Sequence, residues 1–141
     1  MMATSIQMKS AEILLVEDNP GDILFAKRAL EKSKLSNLLI IAEDGEAALK
    51  QLQKSIPDLI LLDLHLPGVS GQQILQTIKN DPRLCHIPVF IMTGSQSETE
   101  IMRLDNLPVS GYVTKPINLE KLSTALGGLE NFYLTIAVKE G

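Results

Sequence analysis

The stretch "PDLILLDLHLPG", residues 57–68, decides how the chain is read. Leu59, Ile60, Leu61 and Leu62 form an unbroken aliphatic run. Such a run suits a strand buried on both faces of a parallel sheet. Asp63 follows at once, and Pro67 and Gly68 mark a turn. A carboxylate placed against an apolar strand is costly to bury unless something compensates its charge. Its position therefore points to chemistry at the carboxyl end of that strand.

Four more short apolar runs flank this one: "ILLV" (13–16), "LLIIA" (38–42), "IPVFIM" (87–92) and "VSGYV" (109–113). The first two and most of "IPVFIM" are continuous, as expected of strands covered on both faces. The last alternates more, as an edge strand does. Helix signals lie between the runs. Asn19 caps a first helix, with Pro20 at its first position and Ile23, Ala26 and Leu30 on one face. Asp44 starts a second, carrying Ala48, Leu49 and Leu52, and Pro57 ends it. Ser70 and Gln73 have capping-box spacing before Ile74, Leu75 and Ile78. Ser97 and Glu100 repeat that spacing before Ile101 and Leu104. Asn118 caps a fifth, where Leu119, Leu122, Leu126 and Leu129 recur at helical intervals.

Strand and helix thus alternate five times. The pattern predicts an α/β domain, a flavodoxin-like doubly wound (βα)5 fold with a five-stranded parallel sheet in the order 2-1-3-4-5. The boundaries expected are an N-terminal extension over 1–11, the domain over 12–129 and a tail over 130–141.

In such sheets ligands bind beyond the carboxyl ends of the strands. There the sequence places Glu17 and Asp18, Asp63, Thr93 and Gly94, and Thr114, Lys115 and Pro116. Glu43 and Asp44 follow the second run, but Asp44 serves as a helix cap. Three carboxylates within a few ångströms repel one another unless a cation intervenes. Mg²⁺ suits an all-oxygen site that also takes a phosphate oxygen. Lys115 beside it can receive phosphoryl charge, and Thr93 can hydrogen-bond another phosphoryl oxygen. Asp63, aimed by a rigid strand end, is then a nucleophile toward phosphorus.

The stretches "ILLVEDNPGD", "PDLILLDLHLPGVSG", "IPVFIMTGS" and "GYVTKP" resemble the receiver domains of two-component response regulators. Asp18 to Asp63 spans 45 positions, Asp63 to Thr93 spans 30 and Thr93 to Lys115 spans 22, as the resemblance requires. It implies that Asp63 accepts a phosphoryl group from a histidine kinase. It also implies Asp18 as the direct Mg²⁺ carboxylate, Glu17 acting through water, and the His65 backbone carbonyl as a further ligand. Thr93, Lys115 and the backbone N–H groups of Leu64 and Gly94 would contact the phosphoryl group. Tyr112 matches the aromatic switch residue, and the Lys115–Pro116 bond is expected to be cis. The resemblance makes the chain a phosphoacceptor signalling domain rather than an enzyme acting on a separate substrate. The acidic pair is Glu-Asp rather than Asp-Asp. The side chain of His65 admits two readings: one that slows hydrolysis by bulk or hydrogen bonding, and an exposed imidazole with its carbonyl alone in use.

"EDNPGDILFAKRALEKS" and "ENFYLTIAV" resemble, more narrowly, single-domain regulators paired with bacterial phytochrome histidine kinases. In "FYLTIAV", Phe132, Leu134, Ile136 and Val138 form one apolar strand-like face. It fits either a segment folded back on its own domain or, as the resemblance to phytochrome-linked regulators implies, a homodimer contact through the fifth helix and tail. Gly127 and Gly128 would let the chain turn before it.

Composition bounds the alternatives. The 141 residues suit one domain, and 45% hydrophobic with 21% charged residues supports a packed core. A formal net charge of −4 argues against broad affinity for nucleic acid or an anionic membrane. No run approaches the roughly 20 apolar residues of a membrane span. "MMATSIQMKS" lacks the apolar middle of a signal peptide, and Cys85 is the only cysteine, so no internal disulfide can form. A cytoplasmic location is expected. A haloacid-dehalogenase-like phosphotransferase would need a second aspartate where His65 stands. A flavodoxin-like cofactor carrier would not place "EDNPGD" against a phosphate. Within the receiver reading two roles remain open: a terminal regulator acting through protein contacts, and a carrier passing phosphate to a histidine phosphotransfer protein.

Overall fold

The computed structural model describes residues 11–33 and 37–127. They run β1 (Ala11–Val16), α1 (Pro20–Lys32), β2 (Asn37–Ala42), α2 (Gly45–Lys54), β3 (Leu59–Asp63), α3 (Gly71–Asn80), β4 (Val89–Thr93), α4 (Gln96–Arg103), β5 (Gly111–Thr114) and α5 (Leu119–Leu126). The strands form one parallel sheet in the order β2-β1-β3-β4-β5. This is the flavodoxin-like topology expected from the sequence.

Alternate residues of each central strand feed two cores. Ile13, Leu15, Leu59, Leu61, Phe90 and Met92 pack with Ala26 and Leu30 of α1 and Leu122 and Leu126 of α5. Leu14, Val16, Ile60, Leu62 and Ile91 pack with Ala48 and Leu52 of α2 and Ile74 and Ile78 of α3 on the other face. Every residue of β3 and β4 is buried. Caps set the helix starts: Asn19, Asp44 and Asn118 each accept from a backbone N–H three residues on, and Ser70 with Gln73 forms a full capping box.

Three expectations need correction. The run 38–42 does form β2, but it is not covered on both faces: Leu38 is 54% exposed. An edge strand has one sheet neighbour and less helix above it, and apolar continuity alone does not separate edge from centre. The fourth helix starts two residues earlier than the Ser97–Glu100 spacing indicates. Ser95 is its cap, accepting from the Glu98 N–H at 3.0 Å. The segment "SQSETE" holds that spacing twice, and the earlier frame turns Thr99 inward, where it is buried, and leaves Ile101 and Leu104 exposed. The fifth strand begins at Gly111 rather than 109, and Ser110 donates to the Val89 carbonyl just before it.

The first strand begins at Ala11, one residue before the expected boundary. Leu129, Gly128 and the proposed homodimer contact in 130–141 lie outside the described residues. Among the described residues no helix is long and apolar enough to cross a membrane. Cys85 is exposed.

The register sets the site. Val16 pairs with Leu62, and Asp63 with Met92. Glu17, one residue beyond β1, therefore falls level with Asp63. Gly71 fixes how the chain leaves β3. A Cβ there would lie 2.5 Å from the Leu64 Cα and 3.1 Å from the Asp63 carbonyl oxygen, so a side chain cannot enter without moving the strand end.

The contrast between centre and edge predicts unequal costs of truncation. Leu61→Ala should lower the free energy of unfolding by about 3 kcal/mol. Leu38→Ala, already half in solvent, should cost less than about 1 kcal/mol. Urea denaturation checks both, and equal losses would contradict the edge placement of β2.

Candidate functional site

Glu17 is wholly buried immediately after β1. Its Oε2 accepts from the N–H groups of Asp18 and Asn19 at 3.1 and 3.2 Å, which pins the carboxylate. Its Oε1 lies 2.7 Å from the Lys115 ammonium. That contact is an ion pair without hydrogen-bond geometry, and the oxygen has no hydrogen-bond partner among the described residues. Asp63 is buried at the end of β3. Its Oδ1 accepts from the His65 N–H at 2.9 Å and its Oδ2 from Lys115 Nζ at 3.0 Å. A third carboxylate, Asp22 in the first turn of α1, reaches the same ammonium at 3.2 Å.

Lys115 is itself held from several directions. Its N–H donates to the Thr93 carbonyl at 2.7 Å. The Lys115–Pro116 bond is cis, as expected. Lys121 Nζ donates to the carbonyls of Thr114 and Pro116, on either side of it. The loop bearing the catalytic candidate is thus tied to α5.

The charges shift one another. Burial pushes Glu17 up to about 7, with the neighbouring Asp63 carboxylate adding to the rise against the pull of Lys115. Burial also works to raise Asp63, but the His65 N–H, Glu17 and Lys115 outweigh it and hold Asp63 below its ordinary value. Burial disfavours the Lys115 ammonium, yet Glu17 and Asp63 keep it charged and raise its pKa. The site therefore combines an ionised Asp63 carboxylate, a fixed cation and a carboxyl that gives up its proton reluctantly.

Oxygens of Glu17, Asp18 and Asp63 lie within 4.8 Å of one another. They are hard oxygen donors, and the Glu17 carboxylate among them carries a buried oxygen with no hydrogen-bond partner among the described residues. This donor set fits Mg²⁺, which favours oxygen ligands and binds through few carboxylates. Asp18 is exposed and open to such an ion from the solvent side.

The residues proposed for the phosphoryl group are engaged otherwise in this state. Thr93 Oγ1 lies 2.6 Å from Thr99 Oγ1. Thr99 donates its proton to the Ser95 carbonyl at 3.0 Å, so Thr93 is the donor in the pair. The Gly94 N–H donates to Glu98 Oε2 at 3.0 Å. Leu64 is buried beside Asp63. The His65 ring is exposed but not idle: Nε2 lies 2.8 Å from Glu98 Oε1. Tyr112 is half-buried, donates to the Met102 carbonyl at 3.4 Å and lies under the Arg103 guanidinium.

The structure thus gathers Glu17, Asp18, Asp63 and Lys115 as the sequence indicates. Thr93 and Gly94 lie at the adjoining end of β4. Sequence reasoning missed Asp22, Glu98 and Thr99. "NPGD" put Asp22 in a first helical turn, but no sequence signal aims that turn at Lys115. Glu98 and Thr99 were hidden by the misplaced start of the fourth helix.

Comparison with known proteins identifies the family and relatives of this chain. The family model described as "Response regulator receiver domain" matches residues 13–127. The chain is 40% identical over 129 residues to the response regulator Rcp1 of Synechocystis sp., covering 86% of this chain and 88% of that protein. The bacteriophytochrome response regulator AtBRR superposes with a TM-score of 0.80 at 38% identity, covering 90% of this chain and 97% of the other. The Mn²⁺-bound form of Rcp1 gives 0.69 at 37% identity, covering 93% and 99%.

The raised Glu17 carboxyl predicts a pH signature of the metal-free protein. Folding lifts its pKa from 4.5 to about 7. The folded state therefore binds more protons, so this contribution is fully present below pH 4.5 and is lost as pH rises through 7. Asp63 is lowered and Lys115 raised, so both stay charged across this window. In EDTA, wild type should lose on the order of 2 kcal/mol between pH 5 and pH 8 relative to Glu17→Gln. Parallel stability profiles would contradict the assignment.

Proposed function

The chain belongs to the response regulator receiver family, and from that premise we propose that Asp63 accepts a phosphoryl group from a sensor histidine kinase and so switches protein contacts. The observation that carries the proposal is the pairing of Asp63 with Lys115. A buried, ionised carboxylate at a strand end offers an oxygen to phosphorus, and an ammonium 3.0 Å away is ready to follow the transferred charge.

In the transfer, an oxygen of Asp63 forms a bond to phosphorus while the bond from phosphorus to the kinase histidine nitrogen breaks. The His65 N–H fixes the carboxylate's orientation. Lys115 exchanges its bond to Asp63 for one to a phosphoryl oxygen and remains held by Glu17 and Asp22. Mg²⁺ held by Glu17, Asp18, Asp63 and the His65 carbonyl would supply the remaining charge neutralisation. The N–H groups of Leu64 and Gly94 and the Thr93 hydroxyl take the other phosphoryl oxygens. Thr93 must leave Thr99 to do so, and Tyr112 follows into the space beside it. The face formed by α4, β5 and α5 then changes, which is the signal a partner reads.

Similarity to phytochrome response regulators supports a phytochrome-type histidine kinase as the phosphodonor. A passage of phosphate onward to a histidine phosphotransfer protein would use the same Asp63 chemistry.

Incubation with acetyl phosphate and Mg²⁺, followed by intact mass and peptide mapping, tests the proposal. Wild type should gain one phosphoryl group on Asp63, and Asp63→Asn should gain none. An adduct elsewhere, or one retained in Asp63→Asn, would overturn the reading.

A further inference from the structure

Ser95 and Glu98 have capping-box spacing, and Ser95 Oγ does accept from the Glu98 N–H at 3.0 Å. In a capping box the Glu98 carboxylate would turn back to the N–H of Ser95. Here it reaches one residue further. Oε2 takes the Gly94 N–H at 3.0 Å, and Oε1 takes His65 Nε2 at 2.8 Å. One carboxylate therefore bridges the two loops that flank Asp63. The next residue, Thr99, holds the Thr93 hydroxyl at 2.6 Å. Two consecutive residues of the first turn of α4 thus occupy both β4-end groups that the proposed phosphoryl group needs.

We infer that Glu98 is a positioning residue for phosphoryl binding, an internal anion that fills the Gly94 N–H in the resting state and must be displaced when Asp63 is phosphorylated. This rests on the function proposed above. A phosphoryl oxygen and the Glu98 carboxylate compete for one amide donor, and both are negative. Binding of one expels the other. Displacement of Glu98 also frees His65, and movement of Thr93 frees Thr99. The start of α4 then loses its side-chain ties to the site in a single exchange. Glu98 so links occupancy of Asp63 to the position of α4, and its carboxylate sets how readily the site takes a phosphoryl group.

The test uses beryllofluoride, with saturating Mg²⁺, as the probe, followed by ¹⁹F NMR of the bound species. Removing the competing anion in Glu98→Ala should lower the midpoint of beryllofluoride binding on the order of tenfold. Glu98→Gln keeps an acceptor without the charge and should fall between. Gly94→Ala is an independent route: its Cβ would stand 2.9 Å from Glu98 Oε2, crowding the carboxylate off while leaving the N–H in place, and should also tighten binding. Affinity for Mg²⁺ alone should stay the same in the Glu98 variants, which a general loosening of the site would not allow. Wild-type midpoints in both Glu98→Ala and Gly94→Ala, with binding still abolished in Asp63→Asn, would overturn this inference and leave the function standing. Failure of wild type to bind the probe at Asp63 would overturn both.

Discussion

The interaction on which the site depends is the Lys115 ammonium set among Glu17, Asp63 and Asp22 at 2.7, 3.0 and 3.2 Å. The ammonium donates a hydrogen bond to Asp63 and makes ion pairs with Glu17 and Asp22, so its one charge is shared among three carboxylates. Without it, two buried carboxylates would face each other at the carboxyl ends of β1 and β3, and at least one would hold its proton. With it, Asp63 stays ionised while Glu17 absorbs the cost of crowding. An ionised carboxylate therefore persists in a place that apolar packing alone would exclude.

The fold serves this arrangement by register. β3 is fully buried and β1 is buried except at Glu12, and their ends deliver Glu17 and Asp63 to the same level. β5 delivers Lys115 from the opposite side of β4, and Lys121 of α5 ties its loop. The parts that would move are the ones with least to lose. α4 has Thr99 as its only fully buried residue and leaves Ile101 and Leu104 in solvent. A short helix with few buried contacts is suited to a change of position. Its main ties to the site run through Glu98 and Thr99, so the groups that would meet a phosphoryl oxygen are also those that hold the helix.

Much of this was legible in the sequence. Continuous apolar runs followed by polar residues located the five strands and the residues at their carboxyl ends, because a parallel sheet must bury its centre and expose its ends. Asn19, Asp44, Ser70 and Asn118 showed where four helices begin. What failed had physical causes. Leu38 and Ile41 read as buried because aliphatic character does not reveal how many neighbours a strand has. Overlapping Ser–Glu spacings in "SQSETE" hid the true cap. Asp22, Glu98 and Thr99 act through side-chain reach across elements, which periodicity does not encode.

The most direct test of the central claim is a high-resolution crystal structure of the Mg²⁺–beryllofluoride adduct. The account predicts beryllium bonded to an Asp63 oxygen and Lys115 Nζ within hydrogen-bond distance of a fluoride. It also predicts the Thr93 hydroxyl turned from Thr99 to another fluoride. An adduct in which Lys115 stays on the carboxylates and Thr93 stays on Thr99 would contradict it.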